Sequence, residues 1–348
     1  MKAIQLLGKE NIRLNEVEKP TITEKEVLIK VKAASICGTD VRMYKNGYPT
    51  ASEETPLTLG HEISGDIVEV GAAVNFYEAG MRVAIAPNMG CGICDQCVQG
   101  NTHLCETYEA FGINLPGGFA EYLVIPEKAV RQGNISLIPD QLSHEEAALI
   151  EPFSCVFNGQ EIAGNKPGDT VLIIGSGPIG IMHAMLARAR GAGKVMMNDL
   201  SEARLADAKK MIPDLVPLTS DNLKEKIAAE TNNHGVDLCI IAAPAPQAQE
   251  ASFHYMAMNG RCLFFGGLPK EKEEVRLNTN ILHYKQLGVF GCTRASLMGY
   301  RTSAQLVASG RIPLKDLITK HYAIDQFDEA LENAKNAIGL KNVIVFKD

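Results

Sequence analysis

Val171-Leu172-Ile173-Ile174-Gly175-Ser176-Gly177-Pro178-Ile179-Gly180 is the stretch from which the fold is read. A short, mostly β-branched run ends in a G-x-G-x-x-G turn and passes into a segment rich in alanine and leucine. Glycine-rich turns are common, so the run alone carries little. Its context makes it a strand–turn–helix unit, in which the glycines allow a tight turn and the helix N-terminus receives a pyrophosphate. Asp199 closes the next strand-like run, Lys194 to Asp199, about 20 residues past the last glycine, where an acid binds ribose hydroxyls. A carboxylate there repels a 2′-phosphate, which favours NAD over NADP. Arg204, one helical turn on, is open to two placements, over the adenine or in solvent.

Working outward, strands and helices alternate from Thr170 to about Phe290. Val171–Ile174, Val195–Asn198, Val236–Ala242, Arg261–Phe265 and Leu287–Phe290 read as buried strands, the pattern of an α/β doubly wound parallel sheet. Upstream, the first 130 residues read as β-rich: apolar runs at Val27–Val31, Ile63–Val70 and Val83–Ala86 are punctuated by Gly and Pro, as in a small irregular barrel. Ser143 with Glu146 predicts a capping box opening a helix. Downstream, a helix over about 325–338 and a strand Val343–Phe346 are expected to return to the first domain.

With 348 residues the chain suits two domains rather than one core. A net charge of −7 carries no basic signature, which argues against a nucleic-acid partner. The N-terminus lacks the long apolar core of a signal peptide. The uncharged run from Thr170 to Ala187 is broken by glycines, a proline and His183, so the nucleotide reading explains it better than a membrane span. A cytoplasmic protein with no membrane association is the expectation.

Of nine cysteines, four fall in Cys91-x2-Cys94-x2-Cys97-x7-Cys105, within a segment that has little else to order it. Four thiolates close a tetrahedral zinc sphere, so this site reads as structural. His103, between two of them, is expected to be exposed. A second set is dispersed: Cys37-Gly38-Thr39-Asp40, Gly60-His61-Glu62 and Glu151-Pro152. Sulfur, imidazole nitrogen and carboxylate oxygen suit zinc with an open coordination position, but spacing alone is weak for groups so far apart.

Taken together, Gly-His-Glu at 60–62, the four-cysteine lobe and the Gly-Ser-Gly-Pro-Ile-Gly turn resemble the zinc-containing medium-chain dehydrogenases along almost the whole chain, most nearly the sorbitol and polyol dehydrogenase branch. The resemblance implies a GroES-like catalytic domain at 1–156 and 292–348, with a Rossmann NAD-binding domain at 157–291. It implies two zinc ions, one catalytic and one structural. Cys37, His61 and Glu62 match the catalytic ligands, and Glu151 matches a further ligand, direct or through water. Asp40 matches the acid that orients the histidine, and Thr39 the hydroxyl beside the reacting oxygen. Gly266, Gly267 and Leu268, with Val289, Phe290 and Gly291, match segments that line the nicotinamide half of a site whose other half includes Gly175, Gly177, Pro178, Ile179, Gly180, Asp199 and Arg204.

The implied reaction is NAD-linked oxidation of a polyol's secondary hydroxyl to a ketose, by a homodimer or homotetramer. Three departures bear on the substrate. Arg42 stands where many members have a relay histidine, Met43 where sorbitol dehydrogenases have a tyrosine, and Gly291-Cys292 in place of an Arg-Tyr pair. Arg42, Lys45 or Arg294 leaves a phosphorylated polyol open as the alternative; butanediol and amino alcohols are further ones. A non-catalytic zinc and nucleotide-binding scaffold is the reading from another class. The complete ligand set argues against it, since a retired site needs no open metal position.

Overall fold

The computed structural model describes residues 1–347, in two compact units: Met1–Ser154 together with the segment from Ala295 onward, and Cys155–Arg294. In the first unit a seven-stranded sheet runs in the order Ile135–Leu137, Arg82–Ile85, Glu62–Val70, Val27–Ser35, Lys341–Val345, Ile318–Tyr322, with Tyr122–Ile125 also paired to Val27–Ser35. A three-stranded sheet, Asn11–Glu16, Lys2–Gly8 and Leu57–Thr58, completes the barrel-like β core. The central strand Val27–Ser35 is buried along almost its whole length, so it reads as a continuous apolar run rather than an alternating one. The last strand pairs antiparallel with it, Val343 opposite Ser35 and Val345 opposite Ala33.

The second unit is a six-stranded parallel sheet in the order Val216–Thr219, Lys194–Asp199, Thr170–Ile174, Val236–Ile241, Met256–Phe264, Gly288–Gly291. Numbered along the chain this is 3-2-1-4-5-6, the dinucleotide-binding order. The helix Pro178–Ala189 begins with proline at its first position and buries every residue from Gly180 to Ala187. The long uncharged run is therefore one core strand and one core helix. No helix among the described residues is long and apolar enough to cross a membrane.

Several elements differ from expectation for local reasons. The strand Val216–Thr219 was not expected, because Pro217 argues against one; it is tolerated at the sheet edge, where one side of the backbone is unpaired. The strand Met256–Phe264 starts five residues before Arg261 and runs through Asn259-Gly260, a turn-like pair, with Asn259 at φ 59° and a register shift opposite it. Ser143 caps its helix by accepting from the Glu146 N–H at 3.2 Å. The Glu146 carboxylate does not return the bond; it accepts the Lys315 N–H at 3.2 Å, so only half of the box forms. The helix near the C-terminus is shorter than 325–338, Phe327–Lys335 after a 3-10 turn, and is ended by Ala337 at φ 53°.

Candidate metal and nucleotide sites

Strand register brings the dispersed residues together. Antiparallel pairing sets Glu62 opposite Ser35. Cys37 lies two residues past Ser35 and His61 one residue before Glu62, so both leave the sheet at the same end. Gly60 makes this possible: it has φ 93°, and a Cβ there would lie 2.9 Å from Phe119. The ligand atoms of Cys37, His61 and Glu62 all fall within 4.8 Å of one another.

Asp40, fully buried in the first turn of the helix Gly38–Asn46, accepts the Cys37 N–H at 2.8 Å with one oxygen. Its other oxygen lies 3.7 Å from His61 Nδ1. Burial pushes the Asp40 carboxyl above its ordinary value. Burial also opposes charge on His61, but the Cys37 sulfur and Asp40 outweigh it and raise the imidazole well above its usual range. These are the marks of anions crowded around a cation position. Asp40 Oδ1 and His61 Nδ1 are buried with no hydrogen-bond partner among the described residues. A thiol, an imidazole and a carboxylate so placed fit a divalent zinc ion.

Glu151 sits apart from that tight trio, in the first turn of the helix Ile150–Ala163, 6% exposed. Its charge acts on both His61 and Lys341, so it belongs to the same neighbourhood but not to the innermost set. Thr39 Oγ1 accepts a hydrogen bond from the exposed Arg42 guanidinium at 3.0 Å.

Lys341 was not anticipated. It lies on the C-terminal strand two residues before Val343, and its Nζ reaches Glu62 Oε1 at 2.8 Å, Glu62 Oε2 at 2.6 Å and the Ile36 carbonyl at 3.1 Å. Burial opposes its charge, but Glu62 and Cys37 outweigh that and raise its pKa. The available signal was a lysine heading an otherwise apolar closing strand, Lys341-Asn342-Val343-Ile344-Val345.

Cys91, Cys94, Cys97 and Cys105 likewise place their sulfurs within 4.8 Å of one another. The Cys91 N–H donates to Cys105 Sγ at 3.3 Å and the Cys94 N–H to Cys91 Sγ at 3.4 Å. Backbone donation from Cys91, helped by Thr107, draws the Cys105 thiol down to about 6, whereas burial pushes Cys97 up to about 11. The donor set fits a closed, structural zinc site. His103 is buried rather than exposed and lies outside the cluster.

In the second unit the glycine turn stands at the C-terminal end of the central strand. Gly175 takes φ 109°, and a Cβ on Gly180 would lie 1.9 Å from the Gly175 carbonyl oxygen, so the helix can pack this close only without a side chain there. Gly177 caps the helix, and Pro178 and Ile179 open it. Asp199 Oδ2 accepts the Ser176 N–H at 2.7 Å and Oδ1 the Ser201 N–H at 2.9 Å. Burial opposes its charge, but these bonds and Arg204 hold its carboxyl below the ordinary value. Arg204 thus acts on Asp199 from the following helix. Gly266 donates its N–H to the Ile241 carbonyl at 3.1 Å, with Gly267 and Leu268 next in the loop. Val289, Phe290 and Gly291 form the edge strand opposite Cys262, Leu263 and Phe264. Gly175, Asp199, Gly266 and Gly291 thereby gather at the carboxyl ends of the strands, where such sheets bind ligands.

Two family models match the chain: the alcohol dehydrogenase GroES-like domain over residues 23–140, and the zinc-binding dehydrogenase over residues 178–309. Sorbitol dehydrogenase of Bacillus subtilis is 35% identical over 337 residues, covering 96% of this chain and 93% of the relative. L-threonine 3-dehydrogenase of Vibrio parahaemolyticus is 33% identical over 350 residues, covering 99% and 98%. A zinc-binding dehydrogenase from Sinorhizobium meliloti, solved bound to NADP, superposes with a TM-score of 0.90 at 30% identity, covering 99% of each chain. With both family models matched in order and relatives aligned from end to end, the chain belongs to the zinc-dependent medium-chain alcohol dehydrogenase family.

Proposed function

We propose that this chain transfers a hydride from a secondary hydroxyl of a polyol, a pentitol or hexitol, to NAD and so forms a ketose. The observation that carries the reading is the cluster of Cys37, His61 and Glu62, whose ligand atoms all lie within 4.8 Å of one another. The similarity to a sorbitol dehydrogenase supports the substrate class.

Cys37, His61 and Glu62 would hold the catalytic zinc with Glu151 as a further ligand, and the four cysteines the structural one. The catalytic zinc would supply Lewis acidity that brings a substrate hydroxyl's pKa toward neutrality. Asp40 Oδ1, 3.7 Å from His61 Nδ1, steadies the His61 ring electrostatically. Lys341 holds both oxygens of Glu62 and limits the negative charge at the centre. Thr39 Oγ1 accepts from Arg42, so its own proton is free to leave toward solvent as it takes one from the substrate hydroxyl. A nicotinamide cofactor held at the glycine turn Gly175–Gly180 and Asp199 would supply the hydride acceptor. Asp199, held ionised by two backbone N–H groups, supports NAD over NADP through repulsion of a 2′-phosphate.

A phosphorylated polyol is the second reading, favoured by the exposed Arg42 guanidinium within hydrogen-bond distance of Thr39. Initial rates of NAD reduction with free and 1-phosphorylated pentitols and hexitols, with 2,3-butanediol and L-threonine alongside, test both. The proposal expects the highest kcat/KM on a free polyol. Activity confined to L-threonine would refute it, and a preference for phosphates would select the second reading. A homodimer or homotetramer is proposed as well, paired through the unpaired side of the edge strand Gly288–Gly291. A cytoplasmic location fits nine cysteines none of which is in a disulfide.

A further inference from the structure

A cavity of about 770 Å³ in the first unit is lined by the loop at 73–77, the helix Glu127–Gln132, the strand Ile135–Leu137 and the helix Leu297–Ala308. That volume is in the range that holds a small molecule. None of its lining residues belongs to the Cys37–His61–Glu62 cluster, the four-cysteine cluster or the glycine turn. Two of them are large apolar side chains left in solvent: Phe76 is 84% exposed and Leu137 57%. Apolar surface gathered at one concave place marks a binding face, and an aromatic ring there offers a face for stacking.

The charges along the same wall are not balanced. Lys25, Arg131 and Arg301 face the cavity with a single carboxylate, Glu127, among them. Glu127 Oε1 is shared between Lys25 at 3.5 Å and Arg131 at 3.7 Å. Arg301 has no ion pair or hydrogen bond among the described residues. The surplus is local, since the whole chain carries −7.

The position of Arg301 is prepared by the backbone. Gly133 ends the helix Glu127–Gln132 at φ 84°, a left-handed conformation that glycine adopts without strain. A Cβ there would lie 3.3 Å from Arg301 Nη1, 3.6 Å from Cζ and 3.7 Å from Nη2. The guanidinium thus lies against bare backbone, with no side chain between. A helix C-terminus favours a cation beside it, which accounts for where the group sits. It leaves the guanidinium's N–H donors without a protein acceptor.

We propose that this cavity binds a small organic anion with a flat apolar body, its acidic head on the Arg301 guanidinium and its body against Phe76 and Leu137. A planar guanidinium meets a carboxylate, sulfonate or phosphate through parallel N–H donors. An unpaired arginine and a solvent-exposed phenylalanine then become partners of one molecule. The site is separate from the proposed reaction and stands whether or not that reading holds.

The probe is anilinonaphthalene sulfonate, an aromatic anion that fluoresces when bound out of water. Phenylnaphthylamine, the same ring system without the sulfonate, is its neutral control. Both are titrated into zinc-loaded protein with saturating NAD present, which keeps the probes off the glycine turn. Wild type is expected to bind the sulfonate more tightly than the neutral molecule. Arg301→Gln is expected to weaken the sulfonate by about tenfold, the low end for a hydrogen bond to a charged group because this guanidinium is exposed, and to leave the neutral molecule unchanged. Phe76→Ala is expected to weaken both by about two- to tenfold, the range for loss of an aromatic contact.

Absence of sulfonate binding to wild type would overturn the site, as would affinities that neither substitution alters. Loss of both molecules in Arg301→Gln would show an arginine that shapes the cavity rather than receives an anion, and would overturn the proposal too. Each outcome is read without turnover, so failure here leaves the dehydrogenase reading untouched.

Discussion

Replacing Lys341 by methionine keeps the length of the side chain and removes its charge. Lys341 Nζ and Glu62 Oε2 lie 2.6 Å apart with side chains 7% and 0% exposed, and Nζ also bonds the other Glu62 oxygen and the Ile36 carbonyl. At an effective dielectric of about 20 the pair attraction is about 6 kcal/mol. Desolvation of both ions consumes most of it, so the intact pair is nearly neutral for stability. Its loss is not neutral: an unpaired carboxylate remains at a buried site, and such removals cost about 3–5 kcal/mol. At roughly 2–4 °C per kcal/mol for a unit of this size, the unfolding temperature of the chelator-treated variant falls by about 6–20 °C. Zinc should narrow the gap, since a divalent cation replaces the missing ammonium and binds only the folded form. Calorimetry with chelator and with excess zinc measures both effects. A Lys341→Met protein within about 1 kcal/mol of wild type in chelator would refute the reasoning. So would a Glu62→Leu/Lys341→Met double variant no more stable than Lys341→Met alone.

Two further outcomes are expected. Asp199→Ala removes a carboxylate held by two backbone N–H groups; KM for NAD should rise by about 10–100-fold, the range for charged hydrogen bonds, and the preference over NADP should shrink. An unchanged ratio of the two cofactors' kcat/KM values would take Asp199 out of the ribose site. His183 is fully buried against Phe265, and burial pushes its imidazole down to about 3. Unfolded, it protonates near 6.5, so between those values the unfolded chain binds more protons, and stability falls as pH drops below 6.5 by up to about 1.4 kcal/mol per unit. Denaturant titrations from pH 7 to pH 5 should show a shallower fall for His183→Leu; parallel curves would mean the residue does not titrate this way.

What the sequence made legible was local. Residues 170–189 announce strand, turn and helix because apolar run, glycines and helix formers stand side by side, and the parallel sheet follows from repetition of that unit. Elements hidden by one residue were missed, such as Val216–Thr219 with Pro217 at the sheet edge, or mis-bounded, such as Met256–Phe264 with Asn259-Gly260 inside it. The four-cysteine cluster was readable because its spacing is short. The cluster of Cys37, His61 and Glu62 was readable only through resemblance, since what assembles it is the pairing of Ser35 with Glu62 across the sheet. Lys341 lies 279 residues from Glu62, and no local pattern reports a partner at that distance.

The central claim is that Cys37, His61 and Glu62 hold a zinc ion required for the reaction. Metal content per chain, measured by mass spectrometry on wild type and Cys37→Ser purified side by side, tests it most directly. The account predicts two zinc ions in the wild type and one in the variant, with polyol-dependent NAD reduction lost along with the missing ion. A Cys37→Ser protein that keeps both ions and full turnover would contradict it.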